Sequence, residues 1–272
     1  MKDNRRAQAA LPQWDEYFLS ERLEESRAVV REVVEKSGKP IIIQFSGGRD
    51  SMALVGLVRE VTDRFICFYM VSGIEFEESI EFVGDVTRKF GWTIMFSQPE
   101  LYKGGFFERL VRFRYWPTIK KLWCQRDLKV RPQHIALVSA LGDGQYYKLN
   151  GVRKYESTRR KYLYPRGGFI RRDDNSGGHD FEVFPILHWT DSDVETYLKM
   201  VSLPTSGLYK KYGVSGCYWC PWYQKQLYAT IIKKMPNLYD KFIMWEEFLG
   251  QPSVIGDIYL RDIKQEVLYD RP

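Results

Sequence analysis

The sequence predicts an α/β fold, in which a parallel sheet carries helices on both faces and a mixed C-terminal portion follows. Two observations predict this class. Short apolar, β-branched runs alternate with longer amphipathic stretches, and the first run stops at a glycine turn from which a second apolar stretch begins. A chain of 272 residues, 44% of them hydrophobic, can also bury a substantial core.

The individual elements follow from the same patterns. Strands are expected at residues 41–45, 65–71, 93–97, 146–150 and 181–184. Helices are expected at residues 14–36, 51–61, 76–90, 131–141, 191–200, 223–234 and 238–249. Pro132 should lie in the first turn of its helix, and Thr190 should act as an N-cap. Residues 151–180 are polar and rich in Arg and Gly, which predicts a long loop.

Composition narrows the class of protein. The net charge of +6 and the pI of about 9.0 favour anionic partners such as nucleotides or nucleic acid. No stretch is apolar for the roughly 18 residues that a membrane span needs, and no apolar region follows the first six residues. We therefore expect a cytoplasmic protein without membrane association. Its 4 Cys then suggest metal or redox chemistry rather than disulfides.

The glycine turn has the chemistry of a phosphate site. It consists of Ser46, Gly47, Gly48, Arg49, Asp50 and Ser51. Glycines let a ligand approach the backbone, and the N–H groups at a helix N-terminus attract anions. The serines add hydroxyl donors, Arg49 adds a cation, and Asp50 suits Mg²⁺ or a helix start. A nucleotide pyrophosphate is the expected occupant, and a plain strand-to-helix connection is the alternative.

The same hexapeptide resembles a known motif. SGGRDS is similar to the PP-loop, SGGxDS, of the N-type ATP pyrophosphatases, which cleave ATP between the α- and β-phosphates and adenylate an acceptor. Further segments between residues 39 and 222 resemble the phosphoadenosine phosphosulfate (PAPS) reductase family: VSGIEFEES, WCQRDLKVRP, GVRKYESTRR, FPILHWTDSDVETYL and GLYKKYGVSGCYWCP. The resemblance implies a Rossmann-like fold of the adenine nucleotide alpha hydrolase type.

Domain boundaries follow from the motifs and the change in composition. We predict an N-terminal helical segment at 1–38 and a PP-loop nucleotide-binding domain at 39–189, which includes the basic loop 151–180. A C-terminal helical portion with a CxxC pair is predicted at 190–272. ATP and Mg²⁺ are the implied cofactors.

The cysteines form a candidate metal centre. Cys217 and Cys220 have the two-residue spacing of zinc and iron–sulfur ligands. In the family that the chain resembles, a cysteine at the position of Cys124 lies near this pair. Three thiolates fit a [4Fe-4S] cluster with one open iron, while zinc or no metal remain alternatives. Cys67 lies in an apolar run and is expected to be a core thiol.

The resemblance leaves the reaction open between two branches. Sulfonucleotide (PAPS or APS) reductases use a cysteine in an ECGxH-type segment near the C-terminus, and this sequence has none after Cys220. The pattern is closer to the DNA phosphorothioation proteins of the DndC and SspD type, which implies sulfur incorporation with a cysteine desulfurase as donor. A sulfonucleotide reductase, a tRNA thiolation enzyme and a noncatalytic nucleotide-binding subunit remain alternatives, as does an oligomer or multi-protein complex.

Candidate substrate residues lie in and before the basic loop. By resemblance, Arg153, Glu156 and Arg159 help to place the substrate. The alternating arginines and aromatics of residues 153–172 could bind a polymer, with DNA favoured over RNA, or could simply hold nucleotide phosphates. Glu75 follows the second strand and could contact ribose or Mg²⁺, although a solvated helix start is equally compatible with it.

Overall fold

A computed structural model describes residues 12–156, 160, 169–173, 180–214 and 216–269, with only the backbone described for residues 12–18. Its six strands are β1 Ile41–Gln44, β2 Phe65–Met70, β3 Ile94–Ser97, β4 Tyr147–Leu149, β5 Ile170–Arg172 and β6 Phe181–Val183. They form one sheet in the order β3-β2-β1-β4-β6-β5. Strand β4 pairs in parallel with both β1 and β6, which confirms the predicted α/β class.

The helices follow the predicted positions closely where the apolar period is strong. They are α1 Pro12–Lys36, α2 Arg49–Arg59, α3 Glu77–Phe90, α4 Gly105–Phe113, α5 Trp123–Gln125, α6 Arg131–Leu141, α7 Asp191–Met200, α8 Leu208–Tyr212, α9 Lys225–Lys234, α10 Asp240–Leu249 and α11 Leu260–Leu268. A π-helical turn, Arg126–Val130, joins α5 to α6. Short 3₁₀ turns occur at Glu100–Tyr102, Lys154–Glu156 and Pro236–Tyr239. The sequence did not predict α4, α5, α8 or α11.

Two predicted helix starts are confirmed in detail. Thr190 caps α7, because its side chain accepts a hydrogen bond from the Asp193 backbone while the Asp193 carboxylate accepts one from the Thr190 backbone. Pro132 lies in the first turn of α6, where its missing N–H costs nothing. Local sequence therefore fixes where these helices begin.

The prediction of a loop over all of 151–180 was wrong at its end. Residues 170–172 form β5, which pairs antiparallel with β6 in the register Ile170 to Val183. The strand IRR has no apolar alternation, so only its partner reveals it: Arg171 donates to Glu182 across the pair at 2.6 Å. Residues 157–159, 161–168 and 174–179 lie outside the described part of the chain.

The described residues divide into two compact units that interleave along the sequence. One comprises those within Met1–Phe45, Arg49–Cys67 and Gln145–Pro204, and the other those within Ser46–Gly48, Phe68–Gly144 and Thr205–Pro272. The first buries apolar residues of α1, β1 and α2. The second has an aromatic core that includes Phe106, Trp116, Trp123, Trp219 and Phe242. The three-segment division made from the sequence stays a prediction.

Within the ranges that the structure describes, no helix combines the length and the apolar character that crossing a membrane requires.

A buried charged triad fixes the β5–β6 hairpin in the first unit. Lys148, in the middle of β4, lies 2.6 Å from an Asp173 oxygen and 2.8 Å from an Asp180 oxygen. All three residues are nearly inaccessible to solvent. Burial alone would lower the pKa of Lys148, but the hydrogen bonds and charges of the two carboxylates outweigh it and raise this pKa. Lysine therefore stays charged inside the fold.

We expect Lys148→Met to destabilise the protein by about 3–5 kcal/mol, because it leaves two buried carboxylates without a cation. Urea unfolding measures the loss. The control is Arg88→Met, which removes an exposed ion pair with Asp85 and should cost less than about 1 kcal/mol. Equal losses in the two variants would show that the triad contributes nothing beyond a surface pair.

Candidate functional site

The turn between β1 and α2 is shaped by one glycine with a positive φ. Gly47 has φ +70°, and a Cβ added there would lie 2.8 Å from Val83 Cγ2. Any other residue would therefore meet both backbone strain and a clash. The Gly48 N–H donates weakly to Ser46 Oγ at 3.4 Å, and α2 begins at Arg49. The predicted phosphate turn is thus a tight bend that leads directly into a helix N-terminus.

A network of alternating charges lies at the start of α2. Arg153 donates from Nε to Asp50 Oδ1 at 2.8 Å and from Nη2 to Asp191 Oδ1 at 2.8 Å. Arg49 also donates to Asp191, and it lies 3.4 Å from Glu195. Arg153 is 1% exposed, whereas the Asp191 side chain is 67% exposed. The structure therefore brings together three predicted residues, Arg49, Asp50 and Arg153.

Asp191 belongs to this network and was missed by sequence reasoning. Burial acts to raise the pKa of Asp191, but the hydrogen bond from Arg153 and the charges of Arg153 and Arg49 outweigh it and lower this pKa. In the sequence Asp191 is simply the first residue after an N-cap, 38 residues from Arg153. No local pattern indicates the pair.

Gly151 is a second residue that the sequence did not single out. A Cβ added to it would lie 3.1 Å from the Asp50 carbonyl carbon and oxygen and 3.2 Å from the Ser51 nitrogen. The chain after β4 thus passes directly against the first turn of α2. This contact keeps Arg153, two residues further on, within reach of Asp50.

The remaining substrate-placing residues are less well defined. Glu156 ends a 3₁₀ turn and pairs with the guanidinium of Arg160. Arg159, which was predicted to act with it, lies outside the described residues. The assignment of both to the substrate stays a prediction.

The Cys217 sulfur has three polar side chains of the second unit around it. It lies 3.1 Å from Lys129 Nζ, 3.8 Å from Glu75 Oε1 and 3.9 Å from Ser72 Oγ. Lys129 belongs to the π-helical turn that follows α5, the short helix carrying Cys124. The bond between Lys129 and Cys217 joins residues 88 positions apart, and no local pattern indicates it.

Glu75 was predicted to contact a nucleotide, but its carboxylate accepts hydrogen bonds from the backbone of residues 72–74. Glu75 accepts hydrogen bonds from the N–H groups of Ser72, Gly73 and Ile74 at 2.9–3.2 Å and from the Ser72 hydroxyl. It also forms an antiparallel bridge with Cys217. The structure thus places Glu75 with the cysteines, and its contact with a nucleotide stays a prediction.

The three predicted ligand cysteines influence one another electrostatically. Burial first, and then the charges of Cys217 and Cys220, raise the pKa of Cys124 to about 12. Burial, together with the charge of Cys217, raises the pKa of Cys220 to about 11. Burial would lower the pKa of Lys129, but the charges of Cys217 and Glu75 outweigh it and raise this pKa. The cation is therefore held beside the thiols.

This donor set has the right chemistry for a metal but not the arrangement of a preformed site. Three thiols and a compensating ammonium group suit a sulfur-rich, negatively charged metal centre. Within the described ranges, however, no three His, Cys, Asp or Glu side chains are arranged so that they could hold a metal ion.

The lowered pKa of Asp191 predicts a pH signature. Because its pKa in the folded chain lies below the ordinary 3.8, ionised Asp191 adds stability above that value and loses this contribution as the pH falls through the folded pKa. We expect Asp191→Asn to be less stable than the wild type at neutral pH and the two to converge below pH 3.8. Urea unfolding across this range measures the difference, with Asp85→Asn as an exposed control. A gap independent of pH would contradict the assignment.

Two relatives illustrate the range of proteins that this chain is similar to. An uncharacterized protein of Methanocaldococcus jannaschii is 29% identical over 226 residues, which cover 82% of this chain but only 44% of that relative. The chain thus spans less than half of that protein's length. Adenosine 5'-phosphosulfate reductase 2 of Bacillus subtilis is 24% identical over 67% of this chain and 73% of its own.

A solved structure supports the fold, and a domain match gives the family. The phosphoadenylyl-sulfate (PAPS) reductase of Candida auris, in its phosphate complex, superposes with a TM-score of 0.52. The alignment covers 76% of this chain and 95% of that one at 17% identity, which is evidence for the fold alone. The phosphoadenosine phosphosulfate reductase domain matches residues 40–223, which include both the glycine turn and the CxxC pair. This chain belongs to the phosphoadenosine phosphosulfate reductase domain family.

Proposed function

We propose that this protein is an ATP pyrophosphatase that adenylates an acceptor and takes part in sulfur incorporation into nucleic acid, with DNA phosphorothioate modification as the favoured outcome. The observation that carries the proposal is the alternating charge network at the start of α2. Arg153 links Asp50 to Asp191 there, and Arg49 also contacts Asp191.

Two carboxylates beside a phosphate turn favour a metal-bound triphosphate over a bare anion. A sulfonucleotide alone is anionic and would be repelled by Asp50 and Asp191, whereas Mg²⁺ is usually held by one or two carboxylates together with substrate phosphates. Arg153 keeps both carboxylates in place while its charge limits their mutual repulsion. Binding of MgATP would replace part of this internal pairing with pairing to the ligand.

The chain's own groups then have defined roles in the reaction. The amides of Gly47 and Gly48 and the hydroxyls of Ser46 and Ser51 bind the pyrophosphate portion, and Arg49 offsets its charge. An oxygen of the acceptor attacks the α-phosphorus, its bond to phosphorus forms, and the bond from that phosphorus to the bridging oxygen of the β-phosphate breaks. Pyrophosphate leaves, and no proton is released from the acceptor when the attacking oxygen is that of an ionised phosphodiester. Mg²⁺, when bound, neutralises charge that develops on the leaving group.

Cys124, Cys217 and Cys220 form the proposed sulfur-handling centre. Their thiolates would hold a [4Fe-4S] cluster, the favoured occupant, or zinc, the alternative, and a bound cluster would supply the chemistry for handling sulfide. Lys129 would offset the negative charge of the ligating thiolates, since it already lies 3.1 Å from the Cys217 sulfur. A cysteine desulfurase is the proposed sulfur source, and Glu156 and Arg159 are proposed to orient the acceptor.

A sulfonucleotide reductase is the second candidate. Similarity to adenosine 5'-phosphosulfate reductase 2 of Bacillus subtilis favours it. tRNA is an alternative acceptor for the thiolation reaction. Release of sulfite from a sulfonucleotide in the presence of thioredoxin would identify the reductase, whereas formation of AMP and pyrophosphate from ATP would identify the pyrophosphatase.

We expect Asp50→Asn and Arg153→Lys each to lower ATP turnover to AMP and pyrophosphate on the order of a hundredfold. The first removes the carboxylate for Mg²⁺. The second keeps the positive charge but loses the planar fork that spans Asp50 and Asp191. Pyrophosphate release, assayed with nucleic acid and a desulfurase present, measures the effect, and Asp85→Asn is the charge-matched control. Normal ATP turnover in both variants would contradict the assignment of the ATP site to this turn.

We expect anaerobically purified protein to contain iron and acid-labile sulfide, and Cys217→Ser to lose most of both. Cys67→Ala is the matched control, because Cys67 is fully buried in β2 and should retain the metal. Iron, zinc and sulfide assays on the same samples distinguish the two candidate metals. Full occupancy in Cys217→Ser would exclude that residue as a ligand.

A further inference from the structure

The end of α4 and the adjacent face of α10 carry exposed rings beside arginines. The aromatic–arginine surface, as we name it, consists of Arg112, Phe113, Arg114 and Phe248. Phe113 is 44% exposed and Phe248 is 60% exposed, while both arginines are exposed as well. Exposed aromatic rings that lie together and are bordered by polar or charged side chains often mark a binding surface. All four residues belong to the second compact unit.

The Phe113 ring is held rigidly from within the protein. The guanidinium carbon of Arg109 lies 3.6 Å from the ring centroid, and Arg109 is only 2% exposed. Arg109 is fixed in turn by a 2.8 Å bond to the buried carboxylate of Asp127. The Tyr102 ring meets Phe113 edge-on at 6.2 Å. One face of Phe113 is therefore occupied by a fixed cation, the Tyr102 ring packs against it as well, and 44% of Phe113 stays exposed.

Arg114 has a backbone conformation that a glycine would normally adopt. Its φ is +57° at the C-terminal end of α4, where its N–H donates to the Leu110 carbonyl at 2.7 Å. Residues with a Cβ rarely adopt this left-handed conformation, and helix ends of this kind favour glycine. The side chain places its guanidinium 5.0 Å from the Phe248 centroid. A strained arginine in place of glycine points to a role for its side chain.

The charge of this surface is not neutralised internally. Among the described residues, neither Arg112 nor Arg114 forms an ion pair with an acidic side chain. Carboxylates of the same helices have other partners: Glu108, one turn before Arg112, accepts a hydrogen bond from the Gly104 N–H, and Glu247 lies 3.7 Å from Arg261. Asp127 binds Arg109 and Arg126. Two cations therefore flank two exposed rings with no acidic partner of their own.

We propose that the aromatic–arginine surface binds single-stranded nucleic acid, with Phe113 and Phe248 stacking on unpaired bases and Arg112 and Arg114 contacting the adjacent phosphates. Rings and cations in alternation match a strand whose bases and phosphates alternate. A double helix offers ring faces only at its ends, so an unpaired strand fits better. This inference rests on the proposed function only in taking a polynucleotide as the acceptor, and it places recognition outside the basic loop 151–180.

The test is binding of fluorescent oligonucleotides of about 12 nucleotides, within the usual site size for such surfaces, followed by anisotropy with the full chain. We expect Phe248→Ala and Arg114→Gln each to weaken binding by about tenfold. Removing Arg114 should also make the slope of log affinity against log salt less negative by roughly 0.7, the value for one phosphate contact on a single strand. Arg88→Gln removes one exposed, paired arginine of the same unit and should change neither quantity.

Arg114→Gly separates a binding role from a structural one. Glycine relieves the positive φ, so this variant should unfold at the same or a higher temperature than the wild type while binding the oligonucleotide as weakly as Arg114→Gln. Loss of thermal stability together with binding would assign Arg114 to the fold and overturn the proposal. Phe248, being 60% exposed, provides an independent variant that should leave the unfolding temperature unchanged.

Single-stranded DNA, single-stranded RNA and duplex DNA serve as three parallel probes. The proposal is supported if either single strand binds more tightly than the duplex and if the Phe248 and Arg114 variants weaken that binding. The single strand that binds more tightly identifies the acceptor. Unchanged affinity in both variants overturns it. Light scattering tests the competing occupant: self-association abolished by Phe248→Ala, with oligonucleotide affinity unchanged, would assign the surface to a second copy.

The outcome is separable from that of the proposed function. If the variants lose oligonucleotide binding but wild-type protein forms no AMP from ATP, the proposed nucleic-acid surface is supported and the proposed pyrophosphatase activity is contradicted. If ATP is cleaved but the variants bind the strand normally, only the proposed nucleic-acid surface is contradicted.

Discussion

A single buried guanidinium holds the candidate nucleotide site together. Arg153 joins Asp50, in the first turn of α2, to Asp191, in the first turn of α7, through two hydrogen bonds of 2.8 Å. Without that cation the two carboxylates would repel each other and drift apart. With it, both carboxylates are held by the same guanidinium at the start of α2. The close approach of Gly151 to Asp50 provides the space for this arrangement.

The second unit also places groups of opposite charge or polarity against each other. Lys129 lies against the Cys217 sulfur, and Glu75 is held by the N–H groups of the turn formed by residues 72–74. Buried thiols with raised pKa values are poor nucleophiles and poor ligands until a cation or a metal offsets their charge. The structure supplies the cation within hydrogen-bond distance. Both candidate sites therefore contain paired charges of opposite sign, and a charged ligand can replace one partner of such a pair.

Local patterns predicted the elements that carry their own signal. The apolar runs at β1 and β2, the N-cap at Thr190 and the glycine turn before α2 were all visible in the sequence, and the structure confirms them. β5 was missed because its polar residues gain a strand only through pairing with β6. Helix α4 was missed because it begins at a glycine and has no capping side chain.

Long-range contacts escaped the sequence for a different reason. The bonds from Arg153 to Asp191 and from Lys129 to Cys217 join residues 38 and 88 positions apart. Nothing in a local window specifies which distant charge a residue will meet. The family resemblance identified Arg153 and the cysteines, but it named neither Asp191 nor the cation beside Cys217. The chemistry of both sites depends on those unpredicted partners.

The central claim is that the amides and charges at the head of α2 bind MgATP through its phosphates. A crystal structure with Mg²⁺ and a nonhydrolysable ATP analogue tests it most directly. The account predicts phosphate oxygens on the N–H groups of residues 46–51, with Mg²⁺ between the phosphates and Asp50. An analogue bound at another place, with Asp50 still paired to Arg153 and this turn empty, would contradict it.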